Sequence, residues 1–360
     1  MWRQQGTGIP DEVIDDIVHV LVLDDMHYEA LLGYVQTQQR RTLTFQQEYH
    51  LVFAFLASTV YLILRIRHAK NALYIDQSLR CFDGMLALAE ANMPLWVFSL
   101  NHDVLIECLA LKGGVDLTQG FTECASYPLR NDAGVEIGRL RIELLREAVF
   151  AEQGHAFFGY GQQGINLLKV HGGLDLFTTR DGMDLVRILP PVATSMGPIL
   201  ALELANTGLA YIDRASGVRA RAGDEIAFED DGGEMQFLRP SLVTGAFKFE
   251  SHSEQVLPKS YLDIFASYAN HVSTLYCVGY GFGDIHINGV LRNWLELSAD
   301  RRMKIVSPGA AMPASLLHLA PQIELVNLPA SDFFEQFATS PLTDEERQMK
   351  TERASHRHEV

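Results

Sequence analysis

Paired cysteines are missing from this sequence. The four cysteines are Cys81, Cys108, Cys124 and Cys277. No two stand in Cys-x-x-Cys spacing, which argues against a zinc ribbon and leaves no disulfide framework. Cys81 and Cys277 sit in apolar stretches, as buried free thiols do. Positive charge is also scarce. Lys and Arg number 29 against 45 Asp and Glu, a formal net charge of −16. Nucleic-acid binders present a basic face, so direct nucleic-acid binding is disfavoured. An anionic ligand would depend on local donors, such as helix N-termini and glycine-rich backbone, working against the overall field. Long apolar runs are lacking too. Leu51 to Leu64 is uncharged between His50 and Arg65, but it falls short of the roughly 20 residues that span a bilayer. A buried core helix is expected there, and no membrane association. The start, Met-Trp-Arg-Gln-Gln, lacks signal-peptide character, so a cytoplasmic protein is expected. No internal repeat or low-complexity segment occurs.

What is present suits a soluble globule with a sizeable core. The chain has 360 residues, 48% hydrophobic and 21% charged. Residues 95 to 121 organise it. Leu95 to Leu100 is short and mostly apolar, as a buried central strand is. It ends in Asn101, His102 and Asp103, and Val104 to Leu111 resumes with helical spacing. Such a strand delivers polar side chains to the carboxyl edge of a parallel sheet, where open α/β folds bind ligands. Asp103 would serve there as a helix cap, a ligand contact, or both. Strand alternation would point His102 away from its two neighbours.

Two later stretches repeat the pattern. One runs Leu167-Leu168-Lys169-Val170-His171-Gly172-Gly173-Leu174-Asp175. The other runs Leu275-Tyr276-Cys277-Val278, then Gly279-Tyr280-Gly281-Phe282-Gly283-Asp284-Ile285-His286-Ile287-Asn288. Together, and in this order, the three stretches resemble the sirtuin-like NAD-consuming family. The likeness is greater to its bacterial antiphage-defence branch than to its protein deacylases, and it covers roughly residues 90 to 337. It implies a mostly parallel Rossmann-like sheet flanked by helices, with a helical insertion at about 40 to 93 over the nicotinamide side of the cleft. It also implies an NAD glycohydrolase that depletes NAD in defence. Such proteins are held in check within oligomers or by a partner, often an ATPase or an Argonaute-like protein.

The chemistry of nicotinamide–ribose cleavage fits these residue types. The leaving group is already cationic in NAD and needs little acid help. The protein must hold the ribose, exclude stray water and aim one water at the anomeric carbon. An asparagine amide can orient that water, and a histidine can take its proton. The resemblance assigns these roles to Asn101 and His171, with Asp103 beside them and Ser99 on the same strand end. Taken alone, His171 before two glycines could also be a strand-end residue bonded to backbone. Gly279, Gly281 and Gly283 would let backbone N–H groups approach the adenosine half. Tyr280, Phe282, Asp284, His286 and Asn288 complete the candidate nucleotide contacts, although Asp284 could instead cap the helix that follows. No zinc is expected, which weighs against the deacylase alternative. A non-catalytic NAD- or ADP-ribose-binding or scaffold subunit is the other alternative.

The rest of the chain is less informative. Gly6 and Gly8 are either a flexible arm or a worn form of the family's pyrophosphate loop, for which the preceding strand is too short. This departure from the family pattern leaves two expectations for that site: another segment supplies it, or the natural protein begins further upstream. Residues 11 to 36 open with acidic residues suited to a helix N-terminus. Residues 44 to 93 have helical periodicity throughout. Val135 to Leu145 suggests a hairpin, and Phe157-Phe158-Gly159 a loop that packs on the next strand. Residues 178 to 250 are hardest to assign. Their acidic cluster from Asp224 to Glu234 suggests a solvated turn, since its spacing is not that of an EF-hand. Helices are expected over Tyr261 to His271, about Ile287 to Leu297, and Ser331 to Phe337 with Ser331 as N-cap. Strands are expected at Thr274 to Val278 and Ile323 to Leu328, and a strand and turn over Met303 to Gly309. One domain would span residues 1 to 340, with 341 to 360 a loose charged tail.

Overall fold

The computed structural model describes residues 8–23, 26–146, 149, 154–179, 184–213, 215–220, 225–230, 232–242 and 260–356. The N-terminal region is helical, as its periodicity requires. It comprises α1 (Asp11–Leu21), α2 (Tyr28–Arg41), α3 (Gln46–Lys70), α4 (Ala72–Ser78) and, after a 3₁₀ turn, α5 (Asp83–Ala91). Asp11 and Glu12 open α1 at the positive end of its dipole. Val13, Ile17 and Val20 of that helix pack on Leu31, Val35, Tyr49 and Val52. Asp16 accepts from the hydroxyls of Tyr34 at 2.6 Å and Tyr49 at 2.7 Å, fastening α1 to α2 and α3.

Helix α3 departs from expectation. It is not a buried core helix. Among the described residues it is the one helix long and apolar enough to cross a membrane by length and composition. Among the described residues its buried positions are Tyr49, Val52, Tyr61 and His68. Tyr49 and Val52 face α1 and α2. Further along, Tyr61 stacks edge-on against Phe177, and Arg65 pairs with Glu203 at 2.6 Å. Leu51, Phe55, Leu62 and Ile66 stay between 37 and 49% exposed. The helix spans 25 residues, four of them buried among the described residues.

Beyond α5 the chain alternates. First come β1 (Leu95–Ser99), α6 (Leu105–Gly113), β2 (Leu117–Thr118), β3 (Glu123–Arg130), β4 (Glu136–Leu145), β5 (Ile165–Lys169), β6 (Gly172–Thr179) and β7 (Asp184–Ile188). Helix α7 (Gly197–Gly208) and strands β8 (Ile226–Glu229) and β9 (Met235–Leu242) follow. Then come α8 (Ser260–Ala269), β10 (Thr274–Val278), α9 (Ile285–Glu296), β11 (Arg302–Val306), β12 (Ile323–Val326), α10 (Ala330–Glu335) and α11 (Asp344–His356).

The fold is mixed α/β, but its strands do not form one mostly parallel sheet. Two small parallel sheets occur, ordered β1-β5-β2 and β10-β11-β12. The largest sheet is antiparallel, ordered β3-β4-β7-β6-β9-β8. It grows from two hairpins: β3–β4, in which Val135 to Leu145 is not a hairpin by itself but supplies the single strand β4, and β8–β9, in the stretch hardest to assign. Asn131 Oδ1 accepts from Ala133 N at 3.1 Å and Val135 N at 2.9 Å, folding the β3–β4 turn. Asp230 does the same for β8–β9, accepting from Gly232 N at 2.9 Å and Glu234 N at 3.0 Å. The outer strands β3 and β8 approach each other. Tyr127 and Phe228 ring centroids lie 4.3 Å apart, and Arg130 pairs with Glu229 at 2.9 Å. The sheet therefore curls around α7, whose Ile199, Leu202 and Ala205 join its core.

A second core unites the layers. Leu168, Val170, Leu176 and Leu185 meet Tyr261, Phe265, Leu291, Trp294 and Ile305. Phe157 packs on Trp96 with centroids 5.0 Å apart, so the aromatic–glycine loop is structural. Two C-terminal expectations need correction. Pro329, not Ser331, occupies the cap position of α10. The charged segment expected to be a loose tail forms α11, where Lys350 pairs with Asp332 at 2.6 Å and also with Glu335. Gly6 lies outside the described residues, while Gly8 is described, with φ +73°.

Candidate functional site

Three strand ends and the helical region enclose one cleft of about 1310 Å³. Small-molecule sites commonly run to roughly 300–1,000 Å³, so this one has room for a ligand longer than a single nucleotide. Asn101, Asp103, His171, Tyr280, Gly281, Gly283, Asp284 and His286 all line it. The register explains why. Ser99 pairs with Lys169 across parallel strands β1 and β5. Asn101 and His171 each follow by two residues, so they leave neighbouring strand ends, which lie about 4.8 Å apart.

The loop after β1 is held by its own side chains. Ser99 Oγ accepts from Asn101 N at 3.1 Å. Asp103 Oδ1 accepts from the N–H of Leu105, the first residue of α6, at 3.0 Å, while Val104 holds the cap position with no side-chain cap bond. Asn101 is left exposed to the cleft. The strand ends at Ser99, so alternation no longer governs His102. Contrary to expectation, His102 also lines the cleft, and its carbonyl accepts from Leu174 N at 2.8 Å.

The two glycines after His171 answer to the backbone. Gly172 has φ +73°, and a Cβ on it would stand 1.7 Å from Ser241 O. A Cβ on Gly173 would stand 2.7 Å from Lys169 Cδ. His171 itself is buried, and its Nε2 lies 3.2 Å from Asp284 Oδ2. The other oxygen of Asp284 caps α9, accepting from His286 N at 2.9 Å and Ile287 N at 3.2 Å. One carboxylate thus anchors a helix and faces an imidazole. It is both the cap and part of the site, where a ribose contact was expected.

The glycine turn divides into wall and scaffold. A Cβ on Gly281 or Gly283 would meet nothing within 4 Å, so these residues present bare backbone to the cleft. Gly279, Phe282, Asn288 and Ser99 do not line it. Gly279 takes φ +68° and donates to Val306 O at 2.8 Å, joining the turn to β11. Asn288 Nδ2 donates to Phe282 O at 2.8 Å, and Tyr280 OH reaches Asn288 Oδ1 at 2.9 Å. These four expected ligand contacts shape the loops. Burial and the Asp284 carboxylate push the Tyr280 hydroxyl above its usual range.

The opposite wall went unassigned residue by residue in the sequence. Tyr28, Glu29, Arg67, His68, Asn71 and Tyr74 supply it. Among the described lining residues Arg67 carries the only permanent positive charge. His68 Nδ1 lies 2.8 Å from Leu64 O, and since a carbonyl only accepts, this nitrogen carries the proton. The cleft also collects the first turns of α2, α6 and α9. Helix N-termini attract anions through their free N–H groups and dipoles. Among the described residues no three His, Cys, Asp or Glu side chains converge as metal ligands.

Beneath the floor lies a buried ionic network. Lys169, 1% exposed, donates to Asp175 at 2.6 Å and to the Asp103 carbonyl at 2.8 Å, and pairs with Glu107 at 2.6 Å. Gln119 Nε2 donates to Glu107 at 2.9 Å and to Asp175 at 3.1 Å. Arg187 stands 3.6 Å from Asp175 and 3.1 Å from Glu143. Burial alone would raise both carboxylates. For Asp175 the two cations outweigh it and hold the carboxyl below its ordinary range. For Glu107 burial prevails and pushes it up to about 7. Burial pulls Lys169 down, yet Asp175 and Glu107 together leave it raised. In comparisons with known proteins, no family model matches the chain and no curated protein matches it.

Proposed function

We propose that the cleft binds NAD and cleaves its nicotinamide–ribose bond with water, releasing nicotinamide and ADP-ribose. The observation that supports this is the convergence of Asn101, His171 and the glycine turn on a single cleft. In this reading the two parallel sheets are parts of a Rossmann-like core. Asn101, open to the cleft, orients the attacking water. Asp284, whose Oδ2 lies 3.2 Å from Nε2 of His171, sets a carboxylate against the ring, and His171 is the base. As water attacks the anomeric carbon, the bonding electrons pass to the nicotinamide nitrogen, which leaves neutral. The proton of the water goes to His171. The bare backbone of Gly281 and Gly283 lies against the adenosine half. Arg67 and the helix N-termini face the pyrophosphate. The helical wall covers the nicotinamide side and excludes water.

The family resemblance extends the reading to NAD depletion in the cytoplasm during antiphage defence. Control would come from self-association or from a regulatory protein such as an ATPase or an Argonaute-like partner. A second reading is a non-catalytic NAD- or ADP-ribose-binding subunit. It draws on the engagement of Asp103 with the first N–H of α6 and of Asp284 in the cap of α9. Incubating the purified chain with NAD, and following nicotinamide and ADP-ribose by chromatography, separates the two. Product formation that is lost in Asn101→Ala and His171→Ala supports hydrolysis. Saturable nucleotide binding without product, with and without candidate partners, would replace it with the binding role.

A further inference from the structure

Resting on NAD as the ligand of the cleft, we infer that His68 recognises the carboxamide of its nicotinamide ring, and so selects NAD over the nicotinic-acid dinucleotide. His68 lies near the end of α3, is 9% exposed and lines the cleft. Its Nδ1 carries the proton and lies 2.8 Å from Leu64 O, one turn back on the same helix. Nε2 is therefore a lone-pair acceptor. This nitrogen is buried and has no hydrogen-bond partner among the described residues. The two ring nitrogens point apart across the imidazole, so Nε2 faces away from the backbone to which Nδ1 is tied. A buried acceptor without a donor destabilises the fold, and here it stands in a wall that a ligand touches. A ligand N–H would satisfy it.

The neighbouring groups favour the same kind of donor. Asn71 follows three residues later and also lines the cleft. Its Nδ2 donates to Arg67 O at 2.8 Å, which leaves Oδ1 as a second acceptor on the same side of the helix. Thr37, another lining residue, donates its hydroxyl proton to Gly33 O at 2.8 Å. A neutral primary amide carries two N–H protons and suits such a wall. The carboxylate of a nicotinic-acid dinucleotide only accepts, and would set its lone pairs against those of Nε2. Arg67 does not reverse this preference. It stands one residue before His68, about 100° away around the helix axis, so the two side chains leave the helix in different directions. A site that pairs a buried polar group with a substrate N–H rejects analogues lacking that group far better than an apolar pocket does. Adenine carries the other N–H2 of NAD, but the adenosine half lies against Gly281 and Gly283. His68 takes no part in bond cleavage. It fixes the base, while Asn101 and His171 act on the ribose.

Titration calorimetry on the full chain tests this, in a His171→Ala background that prevents turnover. The ligands are NAD, nicotinic acid adenine dinucleotide, nicotinamide hypoxanthine dinucleotide and ADP-ribose. NAD should bind about tenfold or more tighter than the nicotinic-acid dinucleotide, and about as well as the hypoxanthine one. Adding His68→Leu should lower NAD affinity about tenfold or more and leave ADP-ribose affinity unchanged. His68→Gln places an amide near the position of Nε2. It can turn its oxygen toward a carboxamide or its nitrogen toward a carboxylate, so it should bring the two dinucleotides within about threefold of each other. Long-range proton–nitrogen correlation should show His68 protonated on Nδ1, with the Nε2 resonance moving upfield on addition of NAD and not of ADP-ribose. Equal affinity for NAD and the nicotinic-acid dinucleotide overturns the inference. So does a His68→Leu chain that loses ADP-ribose as strongly as NAD, which is the mark of a purely structural residue. Selectivity against the hypoxanthine dinucleotide instead sets adenine at His68 and also overturns it. NAD bound with the expected selectivity, but released intact by wild type, supports the role of His68 and removes hydrolysis alone. Binding of none of the four ligands removes both.

Discussion

Glu107→Gln should make the protein more stable at neutral and alkaline pH and change it little in acid. In the folded chain the Glu107 carboxyl keeps its proton up to about pH 7, against an ordinary value of 4.5. The folded pKa is raised, so its contribution to stability is full below 4.5 and is lost as pH climbs through 7. Over that window unfolding releases a proton that the folded chain retains. A tenfold change in proton affinity corresponds to about 1.4 kcal/mol, and the whole displacement amounts to about 3 kcal/mol. The geometry accounts for the sign. Lys169 and Gln119 satisfy Oε1, whereas Oε2 has no hydrogen-bond partner among the described residues. Arg187 stands against Asp175, so the second cation chiefly helps the other carboxylate. Glutamine keeps an acceptor for Lys169 and Gln119 but can never ionise. Urea denaturation of both proteins at pH 5, 6, 7 and 8 measures the difference. It should grow by about 2–3 kcal/mol in favour of the variant, mostly below pH 7. A difference that is flat with pH, or that grows in favour of wild type, would refute the account of this network.

His171→Ala and Asn101→Ala should each lower NAD hydrolysis by roughly two orders of magnitude under conditions where wild type turns over, with folding intact. A wild-type rate in His171→Ala would make His102, which lines the same cleft, the next residue to test. Asp284→Asn keeps an acceptor for the cap of α9 and loses the charge facing His171. Its stability should therefore change by less than about 1 kcal/mol while turnover falls about a hundredfold; equal loss of both would show a purely structural residue. Gly172→Ala should cost about 3 kcal/mol or more, since a Cβ would stand 1.7 Å from Ser241 O at positive φ. Gly281→Ala should leave stability nearly unchanged, because its Cβ meets nothing within 4 Å, and should weaken nucleotide binding instead. Denaturation and nucleotide titration of the two glycine variants check the contrast.

The strand ends were legible because each couples a short apolar run to a change of chemistry. Leu95 to Ser99, Ile165 to Lys169 and Thr274 to Val278 became parallel strands, and the residues after them share a cleft. Which side chains face that cleft was less legible. Helical periodicity marked α3 but could not say that Arg67 and His68 look onto a ligand wall. Nor could it reveal that Leu51 and Phe55 stay half exposed. The antiparallel sheet was hidden for a different reason. Strands β6 and β7 are buried along their whole length, yet they carry Asp175, Thr178, Asp184 and Arg187. Polar residues inside a strand argue for a loop unless their partners are known. Here the partners are distant in sequence, with Arg146 on Asp184 at 3.0 Å and Glu143 on Arg187 at 3.1 Å. Asp284 shows the same limit at one position, because chain order cannot assign each of its two oxygens a task.

The buried ions also bear on how the protein comes apart. They run as a chain from Glu143 on β4, through Arg187 on β7, Asp175 on β6 and Lys169 on β5, to the Asp103 carbonyl beside the cleft. Opening the curled sheet alone would strand Lys169 and Glu107 in the interior with half their partners gone, a penalty of several kcal/mol. Opening the cleft alone would do the same to Asp175 and Arg187. Partial unfolding at either end is therefore costly, and the sheet that carries no candidate catalytic residue is bound to the fate of the one that does. The two should melt in one cooperative step, with amides of β5 and β6 exchanging together and last.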